Sequence, residues 1–312
     1  MTPFEIIKCH GSGNDFIMVD TTCGSTPTDI DWSAFARAAC DRNSGIGSDG
    51  LLLVVRNDKG TYGMDMLNPD GTHAEMCGNG IRCVARLARE RGYLDSNTIY
   101  SGEREFNISY ATPIAEGIET FAVEIPISLS SPSFAFDDNT TPFVGKVIDK
   151  LDHNLRFTAL NLGNPHIVAE VQNIDMAHLE SLGERVKSLT DIFPHGVNVS
   201  LYECRTPRSI FVATYERGAG ITLSCGTAMT ASATAAALLG KVDGGERIEV
   251  RNRGGKVYCT TRNMESPTTT LEGNATYNWR GVASFTDGTL EYSITEHTNE
   301  EERWQRVAQG IE

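Results

Sequence analysis

The sequence predicts an α+β protein built twice over, each half a strand-rich unit with one thiol at the start of one helix. Three observations lead there. Met76-Cys77-Gly78-Asn79-Gly80 and Ser224-Cys225-Gly226-Thr227-Ala228 each open a helix-like run that stops at a glycine 15 residues past the cysteine, Gly92 and Gly240. Asn14, in Gly13-Asn-Asp-Phe-Ile-Met-Val19, precedes Cys77 by 63 residues, and Asn164, in Gly163-Asn-Pro-His-Ile-Val-Ala169, precedes Cys225 by 61. Asn68 and Glu216 each lie nine residues before the thiol of their half, and each is followed by a glycine-containing turn. Landmarks in the same order at nearly the same offsets are the mark of an internal repeat.

Short apolar runs bounded by turn residues predict strands at Glu5 to Ile7, Ile17 to Asp20, Leu51 to Arg56, Tyr62 to Leu67 and Phe121 to Ile127 in the first half. In the second half they fall at Ile167 to Val171, Asn198 to Tyr202, Ser209 to Tyr215, Arg247 to Arg251 and Lys256 to Thr260. Helical spacing marks Asp31 to Ala39, Asn79 to Glu90, Met176 to Ser188 and Thr227 to Leu239. Thr227 to Leu239 is apolar almost all round, so sheet should enclose it. Asn79 to Glu90 has an apolar stripe but carries Arg82, Arg86 and Arg89, with Arg91 following, and is expected to expose more of itself. The Ser-, Pro-, Asp- and Thr-rich run Ser128 to Phe143 is the natural boundary. The expected division is a first half over 1–130, completed by a returning strand at about 285–294, a second half over 131–284, and a helical extension over 295–312.

Twenty-seven basic residues against 41 acidic give a formal charge of -14, which argues against nucleic acid or an anionic membrane surface as a partner. The N-terminus lacks the basic flank and apolar core of a signal peptide, and no apolar run approaches membrane-spanning length, so a cytoplasmic enzyme is expected. Eight cysteines, irregularly spaced and without a Cys-x-x-Cys step, indicate neither a disulfide framework nor a metal site. Cys9, Cys23, Cys40, Cys83, Cys204 and Cys259 read one by one as small buried hydrophobes.

For Cys77 and Cys225 the matched context points elsewhere. A cysteine just before a helix start, followed by glycine and a small polar residue, sits where unpaired backbone N–H groups converge. Such donors lower a thiol's pKa and bind a carboxylate, and glycine lets a ligand approach the backbone. Two such loops facing each other would grip one α-carboxylate and place a sulfur on each side of the α-carbon. Removal of an α-proton pushes charge onto that carboxylate, and one preorganised donor is worth about 2.7 to 4 kcal/mol to such a transition state. No glycine-rich phosphate loop suggests a seat for a pyridoxal cofactor, so none is expected. Taken alone, Gly78 to Gly80 would be an ordinary turn, His166 a packed or capping side chain, and Glu216-Arg217 an exposed pair.

Several segments resemble the diaminopimelate epimerase family. They are Lys8-Cys-His-Gly-Ser-Gly-Asn-Asp-Phe16, Gly45-Ile-Gly-Ser-Asp-Gly50, Asn68 through Arg82, Gly163-Asn-Pro-His166, Gly196-Val-Asn198 and Tyr215-Glu-Arg-Gly-Ala-Gly220 with Ser224-Cys-Gly-Thr227. The resemblance runs in order from about residue 4 to 285. It implies two pseudosymmetric, barrel-like domains, each around a central helix, with the active site in the cleft between them. It also implies cofactor-independent two-base interconversion of LL- and meso-diaminopimelate, which feeds lysine and peptidoglycan synthesis, in a homodimer without metal. Carried over by position, Cys77 and Cys225 are the two bases, and the amides of Gly78, Asn79, Gly226 and Thr227 hold the reacting carboxylate. Glu216 and the Arg217 carbonyl take the α-ammonium, while Asn68, Asn164, Asn198 and the Arg217 side chain hold the distal end. Asn14 lines the site, and His166 with Glu216 helps to set the thiols' protonation.

Three positions depart from the family pattern. His73 and Ile221 stand where glutamate is usual, and Gly50 where some members have glutamine. The segment from about Thr298 reads as a capped amphipathic helix with Trp304 and Val307 inward, past the family's usual end. Two other functions fit the residues less well: a racemase of the same fold acting on another amino acid such as histidine, and a non-catalytic amino-acid-binding protein. Asn68, Asn164, Asn198 and Arg217 favour a substrate with a distal carboxylate, because a guanidinium fork flanked by neutral amides suits that group.

Overall fold

The computed structural model describes residues 2–74, 77–93, 97–130, 133–136 and 141–310. Met76 of the first thiol motif and part of the expected boundary segment lie outside the described residues. Eighteen strands and five helices are placed among those described. The chain forms two compact units, Met1–Val123 with Gly273–Glu312, and Glu124–Glu272.

The first unit opens with β1 (Phe4–Gly11) and β2 (Asn14–Asp20), an antiparallel pair. Helix α1 (Trp32–Cys40) carries the chain to β3 (Gly50–Arg56), parallel to β2, and β4 (Tyr62–Leu67) returns antiparallel to β3. Helix α2 (Gly78–Glu90) then leads to β5 (Thr98–Ser101), parallel to β4, followed by β6 (Arg104–Tyr110) and β7 (Thr120–Pro126), whose residues from Glu124 onward belong to the second unit.

The second unit repeats this order. After β8 (Lys146–Ile148), β9 (Asp152–Asn161) pairs antiparallel with β10 (Pro165–Glu170), and α3 (Met176–Val186) leads to β11 (Asn198–Thr206), parallel to β10. Strand β12 (Ser209–Glu216) is antiparallel to β11, and a short β13 (Gly220–Thr222) folds back on it. Helix α4 (Gly226–Leu238) leads to β14 (Ile248–Asn252), parallel to β12, then to β15 (Gly255–Arg262) and β16 (Thr268–Asn274). The counterpart of β13 in the first unit is a single bridge, Leu67 to His73. Back in the first unit, β17 (Thr276–Thr286) pairs with β1, β18 (Thr289–His297) pairs with β17, and α5 (Glu300–Ala308) ends the described chain.

Strand residues alternate between faces, and here both faces are covered, which explains runs such as Leu51-Leu-Leu-Val54. Ile17, Val19, Leu51 and Leu53 join Phe35, Ala36 and Ala39 of α1 in one core. Leu52 points the other way, since a Cβ on Gly80 of α2 would meet its Cδ2 at 2.8 Å. In the second unit Ile167, Val199 and Leu201 pack with Leu179 and Leu182 of α3. Each thiol helix is touched on successive sides by its own unit's sheet: α2 by β1 to β5, and α4 by β9, β10, β11, β12, β14 and β15.

Helix α4 is enclosed as its composition requires, buried from Gly226 through Ala236. Helix α2 corrects the expectation from its arginines, being buried from Gly78 through Ala88 with Arg82 at 0% and Arg86 at 8% exposure. Its arginines are satisfied inside. Arg82 donates to the carbonyls of Gly78 and Asn274, to Ser12 Oγ and to Asn79 Oδ1. Arg86 donates to the Ala275 carbonyl and to Glu90 and Glu300, with its guanidinium 3.6 Å from the centre of the Tyr277 ring. A buried charge is tolerable when it is paired and hydrogen-bonded in this way.

The division also differs from expectation. Residues 273–284 belong to the first unit rather than the second, because β17 pairs with β1 in the register Phe4 to Ala283 through His10 to Thr276. Helix α5 packs on β17 as part of that unit, with Trp304 and Val307 buried as expected. Its N-cap residue, Asn299, makes no side-chain capping bond; the first turn instead carries Glu300, Glu301 and Glu302. Among the remaining cysteines, Cys23 and Cys204 are half-buried rather than buried. No helix among the described residues is long and apolar enough to cross a membrane.

Candidate active site

The two thiols occupy the same structural position in their respective units. Each is the N-cap of a 13-residue helix, Cys77 with φ -137° and ψ 104°, and Cys225 with φ -131° and ψ 108°. Both helices close alike. Tyr93 N–H bonds to Ala88 O and Gly92 N–H to Arg89 O, and Lys241 N–H bonds to Ala236 O and Gly240 N–H to Ala237 O. This double bond needs a left-handed residue, supplied by Gly92 (φ 70°) and Gly240 (φ 65°). The first intrahelical bonds are Ile81 N–H to Cys77 O and Met229 N–H to Cys225 O. The N–H groups of Gly78, Asn79, Gly226 and Thr227 precede those bonds, so neither helix uses them internally.

Around Cys77, the Gly80 N–H donates to the sulfur at 3.4 Å, and the thiol donates to Asn14 Oδ1 at 3.6 Å. Asn14 comes from the start of β2, and Asn79 Nδ2 reaches the same oxygen at 3.2 Å. Asn14, Cys77 and Asn79 thus lie together. Asn68 follows β4, where its Nδ2 donates to Thr72 Oγ1 at 3.0 Å. His73 sits opposite Leu67 and faces Asp65 at 2.9 Å.

Around Cys225, the thiol lies 3.4 Å from Thr227 Oγ1. Burial pushes it well above its ordinary 9.0, and the negative charge of nearby Glu216 acts in the same direction. The Thr227 hydroxyl and the Ala228 N–H oppose that shift without reversing it. The expectation that a helix N-terminus lowers the thiol's pKa therefore fails for Cys225, because loss of hydration outweighs the donors. Glu216 in turn accepts from Thr222 Oγ1 at 2.5 Å.

His166 is fully buried on the β10 face turned toward α4, with Nε2 3.0 Å from Asn164 Oδ1 and 3.1 Å from Thr227 Oγ1. Asn164 Nδ2 also reaches Thr227 Oγ1, at 3.2 Å. Burial first, and the Arg217 charge second, lower His166 to about 3, so the ring is neutral at physiological pH. Its path to Cys225 runs through Thr227. Asn198 Oδ1 accepts the Arg217 N–H at 2.8 Å, and Arg217 Nη1 donates to the His195 carbonyl at 2.7 Å. Gly196, with φ 70°, lies under the Arg217 side chain, where a Cβ would meet Cδ at 2.9 Å.

Asp49, Arg42 and Thr222 lie outside the residues that the sequence marks as functional. Asp49 Oδ2 accepts from Asn14 Nδ2 at 2.8 Å and from the Asp15 N–H at 3.1 Å, and Arg42 Nη2 binds Asp49 Oδ1 at 2.7 Å. The only available signal was the Asp49-Gly50 step at the start of β3. Its meaning depends on the parallel pairing of Phe16 with Gly50.

A family model for diaminopimelate epimerase matches residues 6–108 and 158–278, which takes in both thiol motifs. The chain belongs to the diaminopimelate epimerase family. Among relatives, the diaminopimelate epimerase of Clostridium acetobutylicum is 35% identical over 303 residues, 96% of this chain and 91% of that protein. That of Listeria innocua is 33% identical, with 100% of this chain and 98% of that protein covered. Among solved structures, a PhzF-family phenazine biosynthesis protein of Bacillus anthracis superposes with a TM-score of 0.63 at 16% identity, covering 91% of this chain and all of that one. A hydroxyproline epimerase from Agrobacterium vitis gives 0.60 at 13% identity, covering 99% and 98%. At such identities these two share the family's fold and carry no argument about substrate.

Proposed function

We propose that this family member interconverts LL- and meso-diaminopimelate without a cofactor, with Cys77 and Cys225 acting from opposite faces of the α-carbon. The observation that carries the reading is the matched pair of thiols, each the N-cap of a 13-residue helix in nearly the same backbone conformation. One sulfur, as thiolate, takes the α-proton while the other, as thiol, delivers its proton to the opposite face. Proton count is conserved, and the reverse reaction exchanges the roles. The N–H groups of Gly78, Asn79, Gly226 and Thr227 are donors suited to the α-carboxylate, where charge accumulates as the proton leaves.

Glu216 and the Arg217 carbonyl are the groups for the α-ammonium, and the Arg217 side chain with Asn68, Asn164 and Asn198 for the distal end. In this reading Asn14 lines the first thiol's side. His166, neutral and bonded to Thr227, orients the second thiol's surroundings without taking up the transferred proton. The setting would be lysine and peptidoglycan precursor synthesis in the cytoplasm, with the protein as a homodimer.

Incubation with LL-diaminopimelate in deuterated water, with parallel samples of histidine and glutamate, tests the proposal. Deuterium at the α-carbon together with meso product is expected for diaminopimelate alone. Exchange confined to histidine or glutamate would overturn the substrate assignment.

A further inference from the structure

Four side chains of the first unit form one directed chain of hydrogen bonds. Arg82 Nη2 donates to Asn79 Oδ1 at 3.0 Å, Asn79 Nδ2 to Asn14 Oδ1 at 3.2 Å, and Asn14 Nδ2 to Asp49 Oδ2 at 2.8 Å. An amide can turn over and exchange its oxygen for its nitrogen, so its orientation is set by what lies at each end. Here the ends are unequivocal: a guanidinium has only donors, and a carboxylate only acceptors. Asp49 is itself held, by Arg42 Nη2 at 2.7 Å and by the Asp15 N–H at 3.1 Å. Arg42 also binds Asp15, at 2.6 Å.

The consequence falls on Cys77, whose thiol donates to that same Asn14 Oδ1 at 3.6 Å. We infer that Asp49 is a positioning residue that fixes the oxygen end of the Asn14 amide on the Cys77 sulfur and so biases that sulfur toward its thiol form. An acceptor beside sulfur stabilises the thiol, whereas an amide nitrogen in its place would stabilise the thiolate. Without Asp49 the Asn14 nitrogen loses its acceptor, and the amide is held only by the Asn79 Nδ2 bond to its oxygen. The inference rests on Cys77 being one of the two acid/base groups, and it adds a control on that group's protonation.

The test is a double-variant cycle read on Cys77 itself, which is partly exposed. Alkylation by iodoacetamide is followed from about pH 6 to about pH 10, with the Cys77 peptide quantified by mass spectrometry. Asn14→Ala, which removes the acceptor, is expected to move the midpoint to lower pH. Asp49→Ala is expected to do the same, and to slow α-proton exchange on diaminopimelate by about 10- to 100-fold through misplacement. Added to Asn14→Ala, Asp49→Ala should move the midpoint no further, because it acts through Asn14.

An unmoved midpoint in Asn14→Ala would overturn the inference, and that variant answers even if Asp49→Ala does not fold. So would an Asp49→Ala shift that persists at full size in the Asn14→Ala background, since a bare charge effect would behave that way. The functional reading fails separately: Cys77→Ser that still epimerises would remove Cys77 from the chemistry while leaving the alkylation cycle intact.

Discussion

Arg86 and Glu300 meet through two parallel hydrogen bonds, Nη1 to Oε2 at 2.6 Å and Nη2 to Oε1 at 2.8 Å, tying the first thiol helix to the C-terminal helix. Both side chains are largely out of solvent, at 10% and 19% exposure. Glu300→Ala would leave the guanidinium buried with only part of its bonding, at a cost of about 2 to 4 kcal/mol. Urea unfolding measures that loss. Replacing both residues by methionine should cost less than the sum of the single changes, because no buried charge is then left without its partner.

Cys77→Ser and Cys225→Ser are each expected to lower epimerisation by at least about 100-fold, since serine is far too weak an acid for either role. Serine is also a favoured N-cap, so both helices should persist and circular dichroism should not change. Near-normal turnover with either serine would refute the two-thiol scheme.

Glu216→Gln removes the negative charge that helps to hold the Cys225 thiol above its ordinary range. The pH midpoint for alkylation of Cys225 should therefore fall in this variant, though not to the value of a free thiol, because burial is the larger cause. Peptide mass spectrometry across a pH series reads the shift.

His166 ties stability to pH. Its folded value of about 3 lies below its ordinary 6.5, so the unfolded chain takes up a proton first as pH falls. The stabilising contribution is full above pH 6.5 and declines as pH drops toward 3. Between about pH 6.5 and pH 5 the wild type should lose about 2 kcal/mol that His166→Gln does not lose, as read from denaturant midpoints. Equal slopes for the two proteins would mean that the ring is not held neutral.

The repeat was legible because its punctuation is chemical. Cys-Gly at each helix start and Gly92 and Gly240 at each end fixed both thiol helices to within a residue. Tyr62 to Leu67 was read at its observed limits because turns bound it on both sides. Strands β5, β6, β8, β9, β13, β16 and β17 went unread, since residues such as Arg104-Glu-Phe-Asn-Ile-Ser-Tyr110 expose alternate side chains and carry little apolar signal. The arginines of α2 misled for a related reason. Sequence shows a charge but not the carbonyls and carboxylates that meet it, and those of Arg86 lie 189 and 214 residues away. Around the thiols, Asn14, Asn79, Asn164 and Thr227 could be anticipated, whereas Asp49 acquires meaning only when β3 lies beside β2.

The discontinuity of the first unit sets an order of events during synthesis. The second unit is one unbroken stretch, Glu124–Glu272, and emerges whole before β17 does. Until residues 276–286 emerge, β1 has an unpaired edge; until Glu300 follows, the Arg86 guanidinium has no bidentate partner. The stretch made first is therefore the last to reach its final form, and a nascent chain that has emerged only as far as Glu272 would present a finished second unit beside a first unit still open to proteases and chaperones.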